Sequence, residues 1–76
     1  MMKKTSVRIA KIRGMLATGE ARELRIAAGL SAAELASEIG VSPSTIFHWE
    51  NARSRPRSDL ALHYLALLER LERELA

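Results

Sequence analysis

An all-α bundle of four to five short helices is what the sequence predicts, and three observations predict it. Ser31 is followed three residues later by Glu34, the spacing of a capping box, and Leu35, Ala36 and Ile39 then recur on one helical face. Gly40 supplies a left-handed stop, and the chain restarts at once: Ser42 is a second N-cap, and Pro43 takes the first helical position, where its missing N–H costs nothing. Further on, Ala61, Tyr64, Leu65 and Leu68 form an apolar stripe at spacings of three and four, as a helix packed on a core requires.

Taken in order, residues 5 to 15 are expected to form a helix, with Thr5 or Ser6 as N-cap and Val7, Ile9, Ile12 and Leu16 roughly on one side. Gly14 and Gly19 weaken it, so a basic arm that orders on a polyanion is the alternative. Thr18 is the expected N-cap of the next helix, with Glu20 and Glu23 where the dipole favours negative charge. Leu24, Ala27 and Ala28 are its expected buried face, and Gly29 ends it. In the two central helices Ile46 and Trp49, with Val41 in the turn, face Leu35 and Ile39, which places Trp49 in the core. Ser44, Phe47, His48 and Asn51 fall on the opposite face. A pair this short buries little alone and needs a scaffold, which leaves one face of the second helix outside.

Arg53, Ser54, Arg55, Pro56 and Arg57 follow as a proline-stiffened loop with three guanidinium groups. Ser58 is expected to cap the last helix, with Asp59 at its first position. Beyond Leu68 the stripe continues through Leu71 and Leu75. A leucine stripe that outruns its own core needs a cover. We expect a second copy of the chain, through contacts at Leu68, Leu71 and Leu75; the alternative is that these turns fold back on Ile9 and Ile12.

Seventy-six residues bound the chain to one small domain, and the absence of cysteine excludes disulfide or thiolate-metal stabilisation and suits a reducing cytosol. Neither a signal peptide nor a membrane-length apolar run is legible, so a soluble, cytoplasmic protein is expected. The net charge is +3, but its distribution says more. Lys3, Lys4, Arg8, Lys11 and Arg13 crowd the N-terminal segment without an acid, and the three arginines crowd the loop, so a side facing a polyanion is expected. His48 and His63 have no acid or cysteine at ligand spacing, so no metal is expected. The serines lack a histidine and carboxylate to activate them. No enzyme, cofactor or small-molecule ligand is read from this chain.

From Arg25 to about Leu68 the sequence resembles the lambdoid phage repressor and Cro family, the xenobiotic-response-element-type helix-turn-helix domains. Arg25, Gly29-Leu30-Ser31, Glu34-Leu35-Ala36, Ile39-Gly40-Val41-Ser42, Ser44-Thr45-Ile46 and Trp49-Glu50-Asn51 carry the match. The resemblance implies a small lambda-repressor-like helix-turn-helix bundle over residues 17–76; the extra N-terminal helix or arm over 1–16 and the extension of the C-terminal helix are additions to it, read from the residues themselves. It also implies that Arg25 pairs with Glu50, fastening the first family helix to the recognition helix. Pro43, Ser44, Phe47 and His48 fall at the positions that face the major groove of double-stranded DNA. Ser31, Ser42, Thr45 and Asn51 fall on phosphates, together with Arg53, Arg55 and Arg57. Two departures stand out. Ala32 replaces the glutamine the family favours at the start of its second helix, and Ala52 replaces a glycine, so either Asn51 takes the left-handed conformation or the recognition helix ends differently.

The function this implies is a sequence-specific, homodimeric transcriptional regulator that acts, like Cro, by occupying an operator. The alternative is the antitoxin of a toxin pair, with the leucine stripe covering a protein partner.

Overall fold

The structure, a computed structural model, describes residues 4–76. These form α1 (Lys4–Thr18), α2 (Glu20–Ala27), α3 (Ala32–Ile39), α4 (Pro43–Glu50) and α5 (Ser58–Leu75), with no strand among the described residues. The fold is the all-α helix-turn-helix bundle expected, and the N-terminal segment is a helix within it.

Local grammar accounts for α3 and α4. Ser31 accepts the Glu34 N–H at 3.0 Å while the Glu34 carboxylate accepts the Ser31 N–H at 2.9 Å, the full reciprocal box. Hydrogen bonding to Ser31, from its backbone N–H first and its side chain second, holds the Glu34 carboxyl below the usual carboxylate range. Gly40 ends α3 at φ 89°, and Ser42 opens α4 by accepting the Thr45 N–H at 3.2 Å. The turn is therefore written in four residues.

Other helix ends differ from expectation. Thr5 and Ser6 lie inside α1, because no breaker precedes them and the helix propagates past both hydroxyls. Thr18 is the last residue of α1, and the N-cap of α2 is Gly19 at φ 85°. The bend between these helices needs a left-handed residue, which glycine adopts and threonine resists. Ser58 is the first helical residue of α5. Its N-cap is Arg57, whose carbonyl accepts the Ala61 N–H at 2.6 Å, because the buried Pro56 anchors the chain immediately before it. Ala27 is exposed; Ala21 is fully buried in its stead, and Leu24, Arg25 and Ala28 share its helical face at intervals of three, four and seven residues.

The core centres on Ile12, Leu35, Ile46, Tyr64, Leu65 and Leu68, all fully buried. Its most extensive helix packing is α1 on α5. Arg8 sits against Glu69 at 2.8 Å, whereas Arg13 and Leu16, further along α1, lie beside Ser54 and Arg55 just ahead of α5, so the two helices run antiparallel. This packing corrects the expected dimer contact: Leu68 and Leu71 are 0% and 8% exposed within a single chain, and only Leu75, at 47%, remains outside. The added N-terminal helix packs along α5, as the folding-back alternative expected, while Leu71 lies beside Leu30 and Glu38.

Trp49 packs on Tyr64 with ring centroids 5.5 Å apart, tilted by 32°. The Tyr64 hydroxyl is buried without a hydrogen-bond partner among the described residues, and burial pushes its phenol pKa up.

Candidate nucleic-acid interface

The surface is built on α4. With Ile46, Trp49 and Glu50 turned into the core, the 100° step per residue sends Pro43, Ser44, Phe47 and His48 outward, and all four are exposed. Phe47 is 49% exposed on this face, whereas the chain's other two aromatics, Trp49 and Tyr64, are buried against each other. An apolar ring held in water beside the Ser44 hydroxyl and the His48 imidazole offers one apolar contact flanked by donors and acceptors.

Glu50 fixes the orientation of this helix from behind. Its carboxylate accepts hydrogen bonds from Arg25 Nε at 2.7 Å and Nη2 at 3.0 Å, and Arg25 Nη1 donates to the Leu30 carbonyl at 3.0 Å. The side chains are 10% and 1% exposed, so the pair is desolvated as well as bidentate. The Glu50 hydrogen bond raises the Arg25 pKa further against the opposing effect of burial. This pair ties α2 to the C-terminal end of α4, and therefore sets where the outward face points.

The end of α4 settles the question posed by Ala52. Neither alternative holds: Ala52 itself takes the left-handed conformation, at φ 57°, while Asn51 stays at φ −99°. The Ala52 N–H donates to the Trp49 carbonyl at 3.2 Å and the Arg53 N–H to the His48 carbonyl at 2.8 Å, the paired bonds of a Schellman turn. These bonds satisfy the helix end although the residue there is alanine, at some cost in strain. Beyond it Arg53, Arg55 and Arg57 are exposed and have no ion-pair partner among the described residues, while Pro56 is buried and anchors the loop that carries them.

Other residues expected at DNA are already engaged. The Ser31 and Ser42 hydroxyls cap α3 and α4, Thr45 Oγ1 lies 2.9 Å from Ser42 Oγ, and Asn51 Nδ2 donates to the Phe47 carbonyl at 2.8 Å. Ala32 is buried, so the start of α3 offers core in place of the glutamine amide. The N-terminal cations divide. Arg8 and Lys11 both bind Glu69, at 2.8 and 3.2 Å, and hold its carboxyl below the usual range, Arg8 foremost. They fasten α1 to α5 and are not a free arm. Lys4 is exposed, Arg13 faces the loop after α4, and Lys3 lies outside the described residues. This division was not legible in the sequence, because the carboxylate that sorts the cations lies 61 residues from Arg8.

Among the described residues no group of histidine, cysteine, aspartate or glutamate side chains is placed to hold a metal, and no helix is long and apolar enough to cross a membrane. A family model described as Helix-turn-helix matches residues 22–75. No curated protein and no solved structure matches the chain.

Proposed function

The chain belongs to the helix-turn-helix family of repressor- and Cro-like DNA-binding domains, and from this we propose that it is a sequence-specific regulator that binds double-stranded DNA and controls transcription by occupying an operator. The observation that carries the reading is the outward face of α4, exposed at Pro43, Ser44, Phe47 and His48, with arginines 53, 55 and 57, unpaired among the described residues, following it in the chain. In this reading α4 lies in the major groove. Ser44 and His48 offer hydrogen bonds to base edges, Phe47 packs on a thymine methyl, and the arginines bind phosphates on either side. None of the outward residues makes the bidentate contact that discriminates bases by about 1–3 kcal/mol, so part of the specificity falls to DNA shape.

The acting unit is proposed to be a homodimer on a palindrome with half-site centres roughly 34 Å apart. Leu75 at the end of α5, 47% exposed, supports it, since Leu68 and Leu71 are used within the chain. The same exposed leucine, with half-buried Leu67 on the same helix, supports the antitoxin reading equally: a DNA-binding regulator whose α5 end meets a different protein.

Binding-site selection with the purified chain, followed by anisotropy titrations on selected and scrambled duplexes, tests the proposal. The selected duplex is expected to bind more tightly at physiological salt, and equal affinity for both would overturn sequence-specific regulation. Sedimentation at micromolar concentration separates the two assemblies: a dimer supports the operator model, while a monomer that gains mass only with the product of a neighbouring gene supports the antitoxin.

A further inference from the structure

The helical step divides the N-terminal cations between two flanks of α1. Arg13 follows Lys11 by two residues, about 200° around the axis, and so emerges on the flank opposite Glu69. There it shares a surface concavity with Arg55, Ser54, Leu16 and Trp49, with a volume of about 120 Å³. A single ordered water needs roughly 10–15 Å³ by comparable measure, so a group of several heavy atoms fits. Both guanidinium groups are exposed, neither has an acidic partner among the described residues, and no carboxylate lines the concavity. Two like charges held around one apolar-floored hollow repel each other until an anion lies between them.

We propose that Arg13 and Arg55 together seat one backbone phosphate of the bound duplex, which makes α1, a helix outside the family-matched segment, part of the DNA-contacting surface. The inference rests on the DNA-binding reading above and deepens it. The planar donors of two guanidiniums and the Ser54 hydroxyl suit the non-bridging oxygens of a phosphodiester. A duplex phosphate is the occupant, and not a free anion, because the hollow is lined by the loop that leaves α4, where exposed Arg53 and Arg57 flank Arg55 in the sequence. Folding has thus assigned N-terminal cations of similar sequence context to different work: Arg8 and Lys11 hold the helix in place, and Arg13 extends the footprint.

The test is the salt dependence of affinity for a random-sequence duplex, measured by anisotropy on the full chain between about 50 and 200 mM salt. Each phosphate contact contributes about 0.9 to the slope of log affinity against log salt. Arg13→Gln, Arg55→Gln and the double variant are each expected to lose the same increment of about 0.9, because one contact is lost once. Melting temperatures of the single variants are expected to match the parent. Arg8→Gln, in contrast, lowers the melting temperature and leaves the slope unchanged. A parent slope that is steep but unaltered by Arg13→Gln overturns the shared seat while the DNA reading stands. So does a double variant that loses about 1.8, which would mean two separate phosphates. A parent chain with no salt-dependent affinity for duplex sinks both.

Discussion

Arg25 donates two hydrogen bonds to Glu50 where almost no water reaches, which makes theirs the most buried ion pair among the described residues. Arg25→Ala strands a buried carboxylate, at an expected cost of about 3–5 kcal/mol, where a surface pair is worth about 0–1. Against the 5–15 kcal/mol typical of whole domains, the chain is left marginal. Replacing both partners, Arg25→Met with Glu50→Leu, removes the stranded charge and is expected to cost far less than either single change. Urea denaturation of the three variants decides this; additive losses would mean that the partners act independently. Ala52 carries the opposite kind of sensitivity. An L-residue in the left-handed region costs about 1–2 kcal/mol, and glycine gives back part of that gain through its freer unfolded chain. Ala52→Gly is therefore expected to stabilise by about 0.5–1 kcal/mol, and a lowered urea midpoint would show that the strain is relieved in some other way.

At the scale of elements, α1 is the member that lies outside the family match. It precedes the family-matched segment, yet Ile12, Met15 and Leu16 stand in the core, and each fully buried side chain of this size is worth about 1.5–3 kcal/mol gross. The ion pairs of Arg8 and Lys11 with Glu69 are partly exposed and contribute at most about 1 kcal/mol each. Packing, then, holds α1, and charge only sets its register. Ile12→Ala is expected to cost about 2–5 kcal/mol, several times the loss from Arg8→Gln, as read by thermal melting of both variants. Comparable losses would put the electrostatics in charge. Both ends of α3 and the start of α4, by contrast, are written by Ser31, Glu34, Gly40 and Ser42, each within four residues of its partner, and so they are readable from the chain alone.

The whole molecule carries an acid sensitivity that belongs to no single helix. Glu69, bound by Arg8 and Lys11 across the α1–α5 joint, and Glu34, in the box that opens α3, both have carboxyl pKa values held below their ordinary 4.5. A carboxyl lowered in the folded state binds fewer protons there than in the unfolded chain. Its stabilising contribution is complete above the unfolded pKa and is lost as pH falls through the folded one. The urea midpoint is accordingly expected to hold from about pH 7 to 5.5 and to decline below about pH 4.5. Glu69→Gln should flatten part of that decline. An unchanged acid limb in this variant would mean that other groups control it.

By itself the sequence determined the helix-turn-helix: the box at Ser31, the left-handed Gly40, the cap at Ser42 with Pro43 behind it, and the alternation of inward and outward residues along the recognition helix. These are interactions between neighbours in the chain, and their physics is complete within a few residues. It also marked Ala52 as a residue at odds with its place. Tertiary structure alone decided how α1 and the end of α5 are used. Whether Leu68 and Leu71 are buried within one chain, and which N-terminal cations are consumed by Glu69 and which face the loop, depend on the packing of α1 and α5, with groups some 60 residues apart. Such partners are chosen by the shape of the assembled core, a property that spacing along the chain does not carry.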